Sequence, residues 1–271
     1  MKLQKLTHFS PSQLLLPDSN WLFKYGVLDK DKRSSMKVGW NAAFGTACHG
    51  GIQAMLTIGA DLDEAIDSAY LSYDFHEPAE GEPEEKQAAY RDDIAACIEN
   101  GVDLLSGLFG GATEEQSVEV SLPGVDLPVY GYIDLCTSTA FCEIKTKARR
   151  LGAVKKDGTR GMTKGSLPKE PEYAHLCQVA IYAEATGLTP HIAYVAAHDA
   201  VLFSPENCEQ LQPERLQYYL ARMRATAIRR EALLRISDDP KVLAGLIDPQ
   251  FEHPFYWNHE FAEEAKELWK V

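Results

Sequence analysis

The run Tyr130-Gly-Tyr-Ile-Asp-Leu-Cys-Thr-Ser-Thr-Ala-Phe-Cys-Glu-Ile-Lys-Thr leaves the chain few ways to fold. Two β-prone stretches flank Thr137-Ser138-Thr139, so the run predicts a hairpin with strands from about Val129 to Thr137 and from Ala140 to Thr146. Alternation puts Glu143 and Lys145 on one face of the second strand, with Cys142 and Ile144 pointing into the core. The first strand sends Gly131, Ile133 and Leu135 one way and Tyr132 and Asp134 the other. Asp134 then meets Glu143 across the pair, with Lys145 beside them.

Two ionised carboxylates a few ångströms apart need a shared proton or a bound cation. Hard oxygen donors favour Mg²⁺ or Mn²⁺, and magnesium keeps several waters while taking one or two carboxylates plus substrate phosphate oxygens. Such an ion polarises a phosphodiester and supplies a hydroxide. Lys145 would orient or deprotonate the attacking water and offset developing negative charge, so hydrolysis is the expected reaction. By itself the pattern is short, because many solvated hairpins carry charges.

Three further features add to it. Phe44-Gly-Thr-Ala-Cys-His-Gly-Gly-Ile predicts a helix whose small residues around His49 permit close approach to a neighbour. In His175-Leu-Cys-Gln-Val-Ala-Ile-Tyr, Gln178 and Tyr182 fall four apart on one helical face. Glu119 stands in the alternating segment Ser117-Val-Glu-Val-Ser-Leu just upstream of the hairpin.

The order of these motifs resembles the PD-(D/E)XK nuclease superfamily, in its RecB-type and phage-type exonuclease branch. Ser10-Pro11-Ser12, Gly45 to His49, Gly131 to Asp134, Glu143 to Lys145 and Gln178 to Tyr182 match that branch's succession of motifs, over roughly residues 8 to 200. Each motif is degenerate, and their joint order carries the resemblance. It implies an α/β fold: a restriction-endonuclease-like core with a central mixed β-sheet flanked by helices, and helical N- and C-terminal elaborations. It also implies metal binding by Asp134, Glu143, the Ile144 backbone carbonyl and His49, with Glu119 at a less regular acidic position near the metal. Lys145 would be the catalytic lysine, and Gln178 and Tyr182 would contact the scissile region or the DNA backbone. The activity implied is that of a DNA exonuclease in recombination, repair or phage DNA processing. A structure-specific endonuclease of the same fold and a catalytically weak DNA-binding module are the alternatives. A hydrolase of smaller phosphate esters would have no use for the basic segment described next.

The sequence departs from the iron–sulfur members of that superfamily. Leu16-Pro17 stands where they carry Cys-Pro, and the cysteines at 48, 97, 136, 142, 177 and 208 form no Cys-x-x-Cys pair, so no iron–sulfur cluster is expected. They read as small core side chains. Cys48-His49 and His175 with Cys177 lack the further ligands of a tetrahedral zinc site. The run Gly158-Thr-Arg-Gly-Met-Thr-Lys-Gly lacks the Gly-Lys-Ser/Thr ending of a phosphate loop.

A formal charge of −13 would discourage nucleic-acid binding if it were spread evenly. It is not. From Lys145 to Lys169 nine cations face one acid, Asp157, a local balance of +8. This Gly- and Lys-rich segment predicts a mobile loop in which Lys147, Arg149, Arg150, Lys155, Lys156, Arg160 and Lys164 grip a DNA backbone. A second set, Arg215, Arg222, Arg224, Arg229 and Arg230, is expected on a helix from about Pro213 to Ile236, lining the same groove.

Elsewhere, helices are predicted after Ser10 and over about Gly39–Ile58, Asp61–Phe75, Pro83–Leu108 and Pro171–Gly187. Strands are predicted at Gln116–Leu122, His191–Ala197 and Ala200–Ser204, and a long final helix opens at Pro254-Phe-Tyr-Trp-Asn. The stretch from the Glu143 strand to the His191 strand has the length of a βαβ crossover. One nuclease domain over 1–271 is expected, with a core at about 38–205 and a helical extension at about 206–271. No run approaches the apolar length of a membrane helix, which predicts a cytoplasmic protein of a bacterial or phage-infected cell with no membrane partner. With no helicase motif, it would act on DNA alone, as a homo-oligomer, or with a single-strand annealing protein or helicase.

Overall fold

The carboxylate-bearing strand lies inside a four-stranded mixed sheet with helices on both faces. The computed structural model describes residues 2–113, 115–156, 160–252, 254–257 and 259–270. Gly158 of the glycine-rich run and Asn258 of the expected final helix lie outside them. In chain order the helices are α1 (Pro11–Leu15), α2 (Asp18–Trp21) continued by a π-helical turn (Leu22–Val27), α3 (Lys30–Ser35), α4 (Trp40–Thr57), α5 (Leu62–Asp74), α6 (Glu84–Phe109), α7 (Tyr173–Thr186), α8 (Pro213–Leu234), α9 (Pro240–Ala244), α10 (Pro254–Trp257) and α11 (Ala262–Trp269). The strands are β1 (Gln116–Val120), β2 (Val129–Ile133), β3 (Leu135–Cys136), β4 (Ala140–Thr146), β5 (Arg150–Val154), β6 (Arg160–Thr163), β7 (Thr189–Ala196) and β8 (Asp199–Phe203).

The sheet order is β3-β4-β7-β8, with β4 and β7 parallel and both outer pairings antiparallel. Parallel neighbours require a crossover, and α7 supplies it. Gly187 (φ 69°) ends α7 in the left-handed conformation that favours glycine. The alternation of β4 is as expected. Cys142 and Ile144 enter a core with Leu135 and helices α4 and α6, while Phe141 enters the opposite core with α7. Glu143 and Lys145 therefore lie on the α7 face.

Helices α4 and α6 pack through two reciprocal glycine contacts. A Cβ on Gly51 would come within 2.4 Å of Ile98, and one on Gly101 within 2.4 Å of Ile52. Each buried isoleucine, lodged over the other helix's glycine, contributes about 2–3 kcal/mol of apolar burial. This is the close approach that the small residues near His49 predicted.

Four expectations are corrected. The first hairpin strand is broken at Asp134: Ile133 enters one core and Leu135 the other, so strict alternation fails where the acid must turn toward β4. The basic segment is not an irregular loop. Its described residues form a separate hairpin, β5–β6, with Leu151 opposite Met162 and Met162 packed against the α4–α6 core. Residues 18–35, which carried no helical prediction, form α2, the π-turn and α3, burying Trp21, Leu22 and Phe23. The chain's last part is two short helices, α10 and α11, in place of one long one.

The second basic set is structural in its most buried member. Arg230 is fully buried, donates to the carbonyls of Gln13 (2.7 Å) and Leu16 (2.6 Å), pairs with Asp18 at 3.0 Å and stacks over Trp21. It satisfies carbonyls at the C-terminal end of α1 and cannot line a groove. Arg229 shares Asp18, Arg224 donates to the Pro123 carbonyl, Arg222 to the Tyr173 hydroxyl, and Arg215 pairs with Glu209. Helix α8 thus clamps residues 9–28 onto α7, so the expected C-terminal extension belongs to the same core as the N-terminal helices. Among the described residues no helix is long and apolar enough to cross a membrane.

Candidate active site

Asp134, Glu143 and Lys145 converge as their spacing predicted, and three elements hold them. The break in the strand frees Asp134 from the ladder. Its Oδ2 accepts the Ile144 N–H at 2.7 Å, and Gln53 of α4 donates to its backbone carbonyl at 2.7 Å. The N–H and C=O of a strand residue point toward the same edge, so the Ile144 carbonyl also faces the Asp134 side. Gln53 was not singled out from the sequence, although it lies four residues after His49 on the same helical face.

Glu143 is almost wholly buried. Its Oε1 accepts from Lys145 Nζ (2.6 Å) and from Gln178 Nε2 (2.7 Å). Gln178 Oε1 in turn accepts from Lys145 Nζ at 3.1 Å, and its second amide hydrogen reaches the Tyr182 hydroxyl at 3.1 Å. Both amide hydrogens of Gln178 are thus used, one on Glu143 and one on Tyr182, while its oxygen holds Lys145. Tyr182 is itself buried, pressed against β2 where a Cβ on Gly131 would come within 2.8 Å of its ring. Expected at the scissile region or the DNA backbone, it is here a buried residue whose hydroxyl positions Gln178.

Burial raises both carboxyls to about 7, and for Glu143 the charge of Asp134 adds to the effect, while Lys145 works against it. Burial also disfavours the Lys145 ammonium, but Glu143 and Asp134 outweigh it and hold the amine charged beyond its ordinary range. His49 Nε2 lies 3.4 Å from Asp134 Oδ1 without hydrogen-bond alignment, and burial holds its imidazole below the usual pKa, in the neutral form that binds metals.

Two buried atoms of this centre, Glu143 Oε2 and His49 Nε2, have no hydrogen-bond partner. Orphaned buried polar atoms are costly, and here they belong to the residues expected to bind an ion. The donor types, two carboxylates with a neutral imidazole and a carbonyl on the Asp134 edge, fit a hard divalent cation that keeps positions for water and phosphate. Among the described residues no three His, Cys, Asp or Glu side chains are grouped closely enough to enclose an ion by themselves. Such a partial donor set is typical of magnesium sites, which substrate completes.

The remaining expected residues divide. Glu119 is exposed, opposite Tyr130 on β1, and is not brought to the centre. Glu115 is the upstream acid whose charge acts on Asp134 and His49. It immediately precedes β1, two residues before Ser117. Arg149 is committed to Asp93 of α6 by a bidentate pair (2.6 and 2.7 Å) and to the Ala89 carbonyl, so it anchors the hairpin. Lys147 pairs with Glu172 and lies over the Tyr194 ring. Arg150, Lys155, Lys156, Arg160 and Lys164 are exposed and form no ion pair among the described residues.

No family model and no curated protein matches the chain. One similar solved structure is a crystal structure of SSO0001, 14% identical over 88% of this chain and 95% of that one, with a TM-score of 0.30. A superposition at that level does not establish a shared fold.

Proposed function

We propose that the chain is a Mg²⁺- or Mn²⁺-dependent deoxyribonuclease built on a restriction-endonuclease-like core, acting as an exonuclease in recombination, repair or phage DNA processing. The observation that carries this reading is the joining of Asp134, Glu143, Lys145 and Gln178 in one network that leaves Glu143 Oε2 and His49 Nε2 unpartnered. The metal would be held by Asp134, Glu143, His49 and the Ile144 carbonyl, and when bound it would supply Lewis acidity and an acidified water.

The other steps belong to the chain. The Lys145 ammonium, held by Glu143 and Gln178, is a fixed positive charge for the phosphate as negative charge builds on it, and its raised pKa favours orientation and charge over proton abstraction. The Ile144 N–H fixes the rotamer of Asp134. The free cations of the β5–β6 hairpin follow Lys145 in the chain, on a separate two-stranded sheet, and would take the DNA backbone without reading sequence.

End-labelled linear single- and double-stranded DNA beside a closed circle, incubated with Mg²⁺, Mn²⁺ or EDTA, tests this for wild type and Asp134→Ala. Metal-dependent loss of linear DNA alone, abolished by the substitution, is expected. Cutting of the circle would make it an endonuclease, and binding without cleavage would leave only the DNA-binding module.

A further inference from the structure

Beside the acid–lysine network lies a second chain of hydrogen bonds that the reading above does not use. Tyr194 of β7 is the cross-strand neighbour of Lys145, and its buried hydroxyl reaches the start of α7. There it accepts the Glu172 N–H at 2.8 Å and lies 2.7 Å from His175 Nδ1. A tyrosine hydroxyl has one hydrogen. Were Nδ1 protonated, two donors would crowd the oxygen and that hydrogen would have no acceptor, so the satisfied arrangement sends O–H to Nδ1 and leaves the imidazole proton on Nε2.

His175 precedes Gln178 by three residues and Tyr182 by seven, so the three form one stripe on α7 facing the site. Among the described residues its Nε2 has no protein partner, and it is not sealed from solvent as the orphaned atoms of the metal centre are. Burial, with Lys145 and Lys147 adding to it, holds the imidazole near 4, so the ring is neutral across the physiological range. A neutral N–H fixed in direction, one helical turn from the Gln178 that grips Lys145, has no structural task at its outer nitrogen.

We propose that His175 donates its Nε2–H to a non-bridging oxygen of a phosphate adjoining the scissile one, with Tyr194 as the positioning residue that fixes its tautomer. The proposal rests on the nuclease reading and deepens it by naming a backbone contact that is independent of base and of positive charge.

The test compares wild type with His175→Asn, His175→Gln and Tyr194→Phe on oligonucleotides carrying a single methylphosphonate at each linkage in turn. Asparagine keeps an acceptor for the Tyr194 O–H but cannot reach the substrate, so KM should rise about ten-fold with Tm unchanged. Glutamine places an N–H near the position of Nε2 and should restore KM to within about three-fold. Tyr194→Phe releases the tautomer and should raise KM by a smaller factor. The defect of His175→Asn should vanish on the one substrate whose methylphosphonate occupies the contacted linkage. His175→Asn cleaving every substrate like wild type, or losing activity uniformly with its Tm, overturns the proposal while the nuclease reading stands. Failure of wild type to bind or cleave any of these DNAs would remove both.

Discussion

Replacing Asp134 by asparagine should stabilise the metal-free protein, and increasingly so as the pH rises. The exchange is nearly isosteric. The amide oxygen can keep the 2.7 Å bond from the Ile144 N–H, and the amide nitrogen would take the place of Oδ1, 3.4 Å from His49 Nε2, an acceptor in one tautomer of the neutral ring. The carboxyl it replaces is protonated up to about 7 in the folded chain, against an ordinary value of 3.8. Between those values the folded state binds more protons than the unfolded one, so stability falls as pH rises through the window. The acid's cost to the stability of the fold therefore grows between pH 5 and pH 8. The advantage of Asp134→Asn in EDTA should thus grow by about 2–3 kcal/mol between pH 5 and pH 8, or about 5–10 °C in Tm for a chain this size. Loss of the Asp134 charge also eases the ionisation of Glu143, which adds in the same direction. Thermal melts of both proteins at pH 5, 6, 7 and 8, with EDTA and then Mn²⁺, read the effect directly. Mn²⁺ should stabilise wild type and not the variant. A variant no more stable than wild type at pH 8, or an advantage that does not change with pH, would refute the account of a buried, electrostatically strained acid.

Lys145→Ala should leave the fold and metal binding nearly intact while lowering the cleavage rate by several orders of magnitude, read by single-turnover assay; parental rates would remove the role given to the lysine. Arg230→Ala strands the Gln13 and Leu16 carbonyls in the interior and leaves Asp18 to Arg229 alone, and should cost about 2–4 kcal/mol in urea unfolding, a value out of reach for a groove-lining cation. Arg149→Ala and Arg150→Ala should behave oppositely despite adjacent positions. The first should lower Tm. The second should leave Tm unchanged, weaken DNA binding and reduce the slope of log affinity against log salt by about one.

The parts of the site that local alternation controls were legible. Glu143, Lys145 and the two-faced packing of β4 follow from side-chain period alone, and the α7 stripe of Gln178 and Tyr182 follows from helical spacing. What failed depended on contacts between distant segments. The kink at Asp134 is set by Gln53 of α4, which the hairpin's own residues do not reveal, and by the Ile144 N–H, a backbone group that no side-chain pattern marks. Arg149 and Arg230 read as surface cations because charge patterning does not reveal a partner 56 or 212 residues away. The β5–β6 hairpin was obscured by its lysines, since its pairing rests on Leu151 and Met162 amid a polar run. Residues 18–35 carry weak helical periodicity and take their form from burial of Trp21 and its neighbours.

The grip of Arg230 on the Gln13 and Leu16 carbonyls also imposes an order on assembly. Helices α4 to α6 lie in one continuous stretch of chain, and a growing polypeptide can pack them together before the sheet is complete. The face bearing Glu143 and Lys145 is different: its lid combines residues 9–28 with α7 and α8, and one of its ties spans 217 residues. Closing so long a loop is slow relative to local contacts. On the ribosome, the half of the molecule that orders the acid–lysine network would remain open until α8 had emerged, so a nascent chain would carry Glu143, Lys145 and Gln178 without the enclosure that aligns them until then.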